Sequence, residues 1–260
     1  MILVVDDIRK SFGGVAAVAG ASFGVAEGSI TGLIGPNGAG KTTAFNMISG
    51  FLTPDAGTIT FAGRRLERAP GHVAAQAGLV RAFQTARVLT RMTLMENMML
   101  AAKDQPGETI GLALFAPGRV RRREQEIRRK AGEYLERLRL SHLAHAFAGT
   151  LSGGQKKLLE LGRALMVEPK MLLLDEPMAG VAPVLAEELC EHIVDLRAER
   201  GISVLVIEHD MDMIMSISDR IVVMDEGRVI AEGTPAEIQA HPRVVEAYLG
   251  RAVQQEGAAR

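Results

Sequence analysis

The glycines and the lysine of Gly35-Pro36-Asn37-Gly38-Ala39-Gly40-Lys41-Thr42-Thr43 fall in the spacing G-x-x-x-x-G-K-[ST]. Gly35, Gly38 and Gly40 let a backbone curl tightly enough for successive N–H groups to converge on one anion. A helix opening near Lys41 adds its positive end to the same point. Lys41 brings a full charge to the β- and γ-phosphates of a nucleotide, and the Thr42 hydroxyl is an oxygen ligand suited to Mg2+. The stretch therefore reads as nucleotide-binding.

Two further stretches carry chemistry. Met171-Leu172-Leu173-Leu174 is an apolar run that ends in Asp175-Glu176-Pro177. A buried strand of this kind delivers its last acid beside a phosphate loop, where Asp175 can hold Mg2+ directly or through water. Glu176 follows where a base would activate water against the γ-phosphate. Alone, such a pair of acids is as often a surface turn; with the phosphate loop in the same chain, the catalytic meaning is favoured. Leu151-Ser152-Gly153-Gly154-Gln155 precedes a helical run bearing Leu158, Leu161 and Leu165. Ser152 is expected as its N-cap, and the glycines expose backbone N–H groups at a positive helix end. That predicts a second anion site, far along the chain from the first.

The elements that must position these residues are of two textures. Ile2 to Phe12 mixes β-type residues with charges and is expected as an edge strand. Val15 to Val25 and Ser29 to Ile34 follow as strands, then Thr58 to Ala62 after the turn signal Thr53-Pro54-Asp55-Ala56-Gly57, and Leu79 to Phe83. From Val88 to Val167 the texture is helical: an apolar, methionine-rich run from Met92 to Ala102, a loop containing Pro106, Gly107, Pro117 and Gly118, then Arg121 to Leu140 with Ile127, Ala131, Tyr134, Leu135 and Leu138 at helical spacing. Strands return at Met171 to Leu174, Ser203 to Ile207 and Arg220 to Met224, with a hairpin at Gly227 into Arg228 to Ala231. Thr234-Pro235-Ala236-Glu237 is a capping-box signature for a short C-terminal helix. The expected organisation is one α/β domain, with 1–87 and 168–260 as its core, 88–167 as an inserted helical subdomain, and 251–260 as a flexible tail.

Composition narrows the class. At 260 residues and a net charge of −1, the chain can bury a substantial core and has no basic field of the kind nucleic acids need. Cys190 is the single cysteine, which excludes a disulfide framework or a structural zinc site. No apolar run is long enough to span a bilayer, and no targeting segment is visible at the N-terminus. A cytosolic-type chain is expected, with any membrane role supplied by a partner.

The order of these motifs resembles the ATP-binding cassette (ABC) ATPases. It comprises the phosphate loop, Gln84 within Arg81-Ala82-Phe83-Gln84-Thr85, the Leu151–Gln155 run, Asp175-Glu176-Pro177, and His209 within Val206-Ile207-Glu208-His209-Asp210. The resemblance covers nearly the whole chain. It implies a P-loop NTPase core with an antiparallel β subdomain and the helical insertion, binding ATP and Mg2+. It also implies two cassettes that sandwich two ATPs, so that Ser152, Gly153, Gly154 and Gln155 of one face the γ-phosphate held by the other. By the same resemblance Phe12 stacks on adenine with Val18 nearby, Gln84 senses Mg2+ at the joint with the helical subdomain, Glu176 is the general base, and His209 contacts the γ-phosphate. One departure stands out: Ala182 occupies a position where the family usually has Asp or Asn, which weakens the expected contact across the two cassettes.

Phe12-Gly13-Gly14-Val15, Met92-Thr93-Leu94-Met95-Glu96-Asn97, Ile207–Met211 and the end Glu232-Gly233-Thr234-Pro235 with Tyr248-Leu249-Gly250 resemble the ATPase subunits of branched-chain amino-acid importers. Urea or amide importers and lipopolysaccharide exporters share much of this texture. The implied partners are transmembrane permease subunits, a second ABC ATPase subunit (the same chain or a homologue) and, indirectly, an extracellular or periplasmic substrate-binding protein. The implied place is the cytoplasmic face of the cell membrane. A soluble ABC ATPase without a membrane partner is the alternative from another class.

Overall fold

The computed structural model describes residues 1–82, 88–103, 105 and 116–248. Gln84, Leu249, Gly250 and the expected 251–260 tail lie outside the described residues. The chain divides into two compact units: Met1–Arg81 with Lys170–Pro177 and Ile193–Arg260, and Ala82–Pro169 with Met178–His192. The second unit thus takes in Met178–His192 as well as the stretch read from sequence as helical.

The first unit holds two sheets. Strands β1 (Leu3–Phe12), β2 (Val15–Val25), β4 (Ala56–Phe61) and β5 (Arg64–Arg65) form an antiparallel sheet in the order β2-β1-β4-β5. The expectation of an edge strand at Ile2 to Phe12 is corrected here, because β1 is paired on both sides, Val5 lying opposite Phe23 of β2 and Ile59 of β4. Leu3, Val5 and Ile8 are buried while Asp6, Asp7 and Arg9 are exposed. The charges therefore mark the solvated face of an inner strand, not an unpaired edge.

The second sheet runs β10-β9-β3-β8-β7-β6, from β3 (Ile30–Ile34), β6 (Leu79–Ala82), β7 (Met171–Asp175), β8 (Ser203–Ile207), β9 (Arg220–Asp225) and β10 (Arg228–Gly233). Neighbours β9, β3, β8 and β7 are parallel, and β10 closes an antiparallel hairpin on β9. Every residue of β3, β7 and β8 is buried, as unbroken apolar runs in a parallel sheet require. Helix α1 (Lys41–Ile48) buries Phe45, Met47 and Ile48 in one core with Leu33, Leu173 and Leu205. Helix α2 (Gly71–Ala77), which no sequence pattern announces, precedes β6.

In the second unit, α3 (Leu94–Leu100) starts two residues later than the apolar run that announced it, because Thr93 caps it. Thr93 Oγ1 accepts from the Glu96 amide at 3.2 Å, and Glu96 Oε2 accepts from the Thr93 amide at 2.7 Å. That backbone bond, with the Thr93 hydroxyl, holds the Glu96 carboxyl below its usual range. Helix α4 (Pro117–Arg137) begins at a proline read from sequence as loop; proline at the first helical position loses no needed donor. Its buried stripe is Ile127, Ala131, Tyr134 and Leu135, as the spacing predicts. Arg121, Arg122 and Arg128 are exposed, Arg129 pairs with Glu133, and Lys130 with Glu168. Helix α5 (Gly153–Met166) follows, then α6 (Pro183–Arg200), whose early residues explain the extent of this unit. Arg139 reaches Glu188 at 3.1 Å and Glu191 at 3.7 Å. The chain then returns to the first unit, which adds α7 (Met211–Ile217) and α8 (Pro235–Gln239). Helix α8 opens on the expected capping box at Thr234 and Glu237.

Asn97 is the polar keystone of the second unit. It is fully buried; its Oδ1 accepts from the Leu89 amide at 2.9 Å, and its Nδ2 donates to the carbonyls of Leu89 at 3.0 Å and Thr93 at 2.9 Å. Asn97→Ala strands these backbone groups away from water, at about 1–3 kcal/mol for each group left unsatisfied. The expected result is a melting temperature lower by roughly 5 °C or more in thermal unfolding. Unchanged melting would show that the loop relaxes freely.

Candidate functional site

The phosphate loop leaves β3 at Ile34 and runs into α1 at Lys41. Gly35 has φ 149° and Gly40 φ 94°, both in the region that favours glycine. A Cβ on Gly35 would lie 2.0 Å from the Met224 carbonyl oxygen, and one on Gly40 would lie 2.4 Å from that of Ala17. The loop is braced from outside: the Gly227 amide donates to the Ala39 carbonyl at 3.0 Å, and the Ala19 amide to the Gly227 carbonyl at 2.8 Å. Gly40 caps α1 without a side-chain bond. No capping side chain therefore competes with an anion at this helix end.

Lys41 is 5% exposed, and its Nζ donates to the carbonyls of Gly35 at 2.7 Å and Pro36 at 3.1 Å. The ammonium is thus held directly under the loop it is expected to serve. Asn37, Gly38, Ala39, Gly40, Lys41, Thr42 and Thr43 line a cleft of about 310 Å3 together with Ala17, Glu176 and His209. The cleft is in the size range of small-molecule sites.

Glu176 enters this cleft on a strained backbone. It follows the end of β7 with φ 50°, an uncommon value for a residue with a side chain, and its amide donates to the Ile207 carbonyl at 2.9 Å. Strain of this kind persists only where neighbours over-determine it, and Glu176 is among the cleft's lining residues. Glu176 Oε1 lies 2.7 Å from His209 Nε2, and both side chains are partly exposed. With the carboxylate ionised, Nε2 carries the hydrogen and donates it. The His209 amide in turn donates to the buried Glu208 carboxylate at 3.0 Å, fixing the residue after β8.

Asp175 sits one residue back at the end of β7, its carboxylate buried with Arg81 at 2.6 Å. Val18 is buried behind Gly40, and Ala17, unmarked in the sequence reading, lines the cleft beside it. Phe12 stands exposed at the end of β1 with Lys10 Nζ 5.8 Å from its ring centre, and it is not among the cleft's lining residues. The Tyr248 phenol is raised above its ordinary value by burial, opposed by a backbone hydrogen bond with Gly35. That tie from near the C-terminus to the first loop glycine has no local sequence signal.

In the second unit, Ser152 caps α5 as expected. Its Oγ accepts from the Gln155 amide at 3.2 Å, and Gln155 Oε1 accepts from the Ser152 amide at 3.0 Å. The cap uses the Gln155 amide, so Gly153 and Gly154 bring the remaining first-turn N–H groups. A Cβ on Gly154 would meet Leu185 Cδ1 at 2.6 Å, so close packing on α6 also demands glycine there.

Residues 18–179 match the family model described as ABC transporter. The chain belongs to the ABC transporter family. A second model, described as branched-chain amino acid ATP-binding cassette transporter, matches residues 228–254 of the cassette. The cassette is 43% identical to the high-affinity branched-chain amino acid transport ATP-binding protein BraF of Pseudomonas aeruginosa, covering 96% of this chain and 98% of that protein. It is 44% identical to the probable branched-chain amino acid transport ATP-binding protein LivG of Archaeoglobus fulgidus, over 96% of this chain and 95% of that one. Among solved structures, the ADP conformation of an ATP-binding cassette of an ABC transporter superposes with a TM-score of 0.80 at 40% identity, over 96% of this chain and 98% of that chain. The cassette is thus an ATP-binding ATPase of the P-loop fold. None of its helices among the described residues is long and apolar enough to cross a membrane.

Proposed function

We propose that the cassette is the ATP-hydrolysing subunit of an importer of branched-chain or other hydrophobic amino acids, held peripherally at the cytoplasmic face of the cell membrane by permease subunits. The observation that carries this reading is the match of residues 228–254 to the branched-chain model. Relatives aligned over nearly the whole chain support it.

In this reading the loop amides from Gly35 to Gly40 and the Lys41 ammonium bind the β- and γ-phosphates. Phe12 borders the adenine, with Val18 supporting the loop from behind. The donor set suits Mg2+: the Thr42 hydroxyl and the Asp175 carboxylate are hard oxygens, and a cation of this kind takes few protein ligands beside substrate phosphates. Thr42 and Asp175 would hold Mg2+, with Gln84 as its sensor, and the ion would supply charge neutralisation at the phosphates. Glu176 accepts a proton from the attacking water, and His209 keeps the carboxylate oriented from 2.7 Å away. Ser152, Gly153, Gly154 and Gln155 offer their helix end to the nucleotide of a second cassette, and closure and reopening of the pair drive the permease as a hinge-type switch.

Purification of the tagged cassette from gently solubilised native membranes tests the partners. Two multi-span proteins together with a second, different cassette are the expected companions. Recovery of ribosomal proteins, or of no membrane protein at all, would point to a soluble ABC ATPase instead.

A further inference from the structure

Arg81 is not among the cleft's lining residues, yet it is among the most constrained charges of the first unit. Its side chain is 8% exposed and that of Asp175 is 7% exposed. One terminal nitrogen donates to Asp175 Oδ2 at 2.6 Å. The other donates to Asn46 Oδ1 at 2.7 Å and to Ser49 Oγ at 3.2 Å. The guanidinium also lies over two rings, 5.1 Å from the centre of Phe45 and 5.2 Å from that of Phe51. A single planar cation therefore joins the end of β7 to α1 and the residue that follows it.

A desolvated ion pair like this adds little net stability over an apolar pair of the same shape, although removing one partner is costly. What the fork geometry does supply is orientation. Two donors in one rigid plane fix the Asp175 carboxylate relative to the helix that starts at Lys41, with Oδ2 committed to the guanidinium. Lysine, a point charge on a flexible stem, cannot hold both ends in that way.

We infer that Arg81 is a positioning residue for metal binding: it orients Asp175 on α1, so that the metal carboxylate and the phosphate loop keep one register. The inference rests on Asp175 as the Mg2+ carboxylate. It goes beyond that reading by assigning metal affinity to a residue that touches neither metal nor nucleotide.

The test is binding, not turnover. A fluorescent ATP analogue is titrated onto the purified full chain in EDTA and across a Mg2+ series, with thermal unfolding recorded for each variant. In the wild type, Mg2+ is expected to tighten binding. Arg81→Met is expected to raise the half-saturating Mg2+ concentration about 10- to 100-fold, the usual cost of losing a partner that orients a metal ligand. Its affinity in EDTA should stay within about twofold of wild type. Arg81→Lys keeps the charge and covers the case in which Arg81→Met fails to fold; it should still raise the Mg2+ requirement several-fold. Loss of affinity in EDTA and in Mg2+ by the same factor, with a lowered melting temperature, would overturn the inference in favour of a purely structural role. So would an unchanged Mg2+ requirement in the folded Arg81→Lys variant. A wild type indifferent to Mg2+ would remove the Asp175 reading itself, and is distinguished by appearing before any substitution is made.

Discussion

Glu176→Gln is expected to lower steady-state ATP hydrolysis by about 10²- to 10⁴-fold, the usual contribution of a positioned general base, while ATP binding stays within about twofold. Glutamine keeps the shape of the side chain, and its amide oxygen can still accept from His209 Nε2, which lies 2.7 Å from Glu176 Oε1. The backbone reason for the position is untouched, since the residue keeps φ 50° and its amide bond to the Ile207 carbonyl. The capacity to take a proton is lost, together with the negative charge. Phosphate release measured beside analogue binding separates the two effects. Full turnover in this variant would refute the assignment of the base.

Gly35→Ala is expected to damage fold and binding together. The new Cβ would lie 2.0 Å from the Met224 carbonyl oxygen and 3.1 Å from its carbon. Met224 is fully buried in β9, which is paired on one side with β3 and on the other with β10, so neither strand can yield cheaply. The φ of 149° adds its own penalty. Overpacking at about 1–3 kcal/mol and backbone strain at about 1–3 kcal/mol together lower the melting temperature by roughly 5–20 °C. Gly38→Ala is the control: it shares a positive φ of 81°, but its Cβ meets nothing within 4 Å. It should melt closer to wild type. Equal melting of Gly35→Ala and wild type would mean that the loop is not pinned against β9.

The loop, the strand-borne acids and the capped helix at Ser152 were all legible in the chain, because each depends on spacing over fewer than about ten residues. The same holds for the capping box at Thr234 and the buried stripe of α4. What escaped the sequence depends on partners far away in it. The charges of β1 look alike on an edge and on a solvated face, and only the distant β4 decides between them. Met178–His192 read as part of the core, yet they cluster with the helical unit through Leu185 beside Gly154 and Glu188 beside Arg139. Arg81 stood in plain view three residues before Gln84, but its meaning lies in Asn46 and Asp175, which are 35 and 94 residues away.

The most direct measurement is uptake of radiolabelled leucine by cells from which this chain has been deleted. Deletion is expected to abolish high-affinity uptake, the wild-type chain to restore it, and Glu176→Gln to leave it absent although the protein is present at the membrane. Leucine uptake that is indifferent to the deletion, or fully restored by Glu176→Gln, would contradict the account of a cassette that drives amino-acid import by hydrolysing ATP.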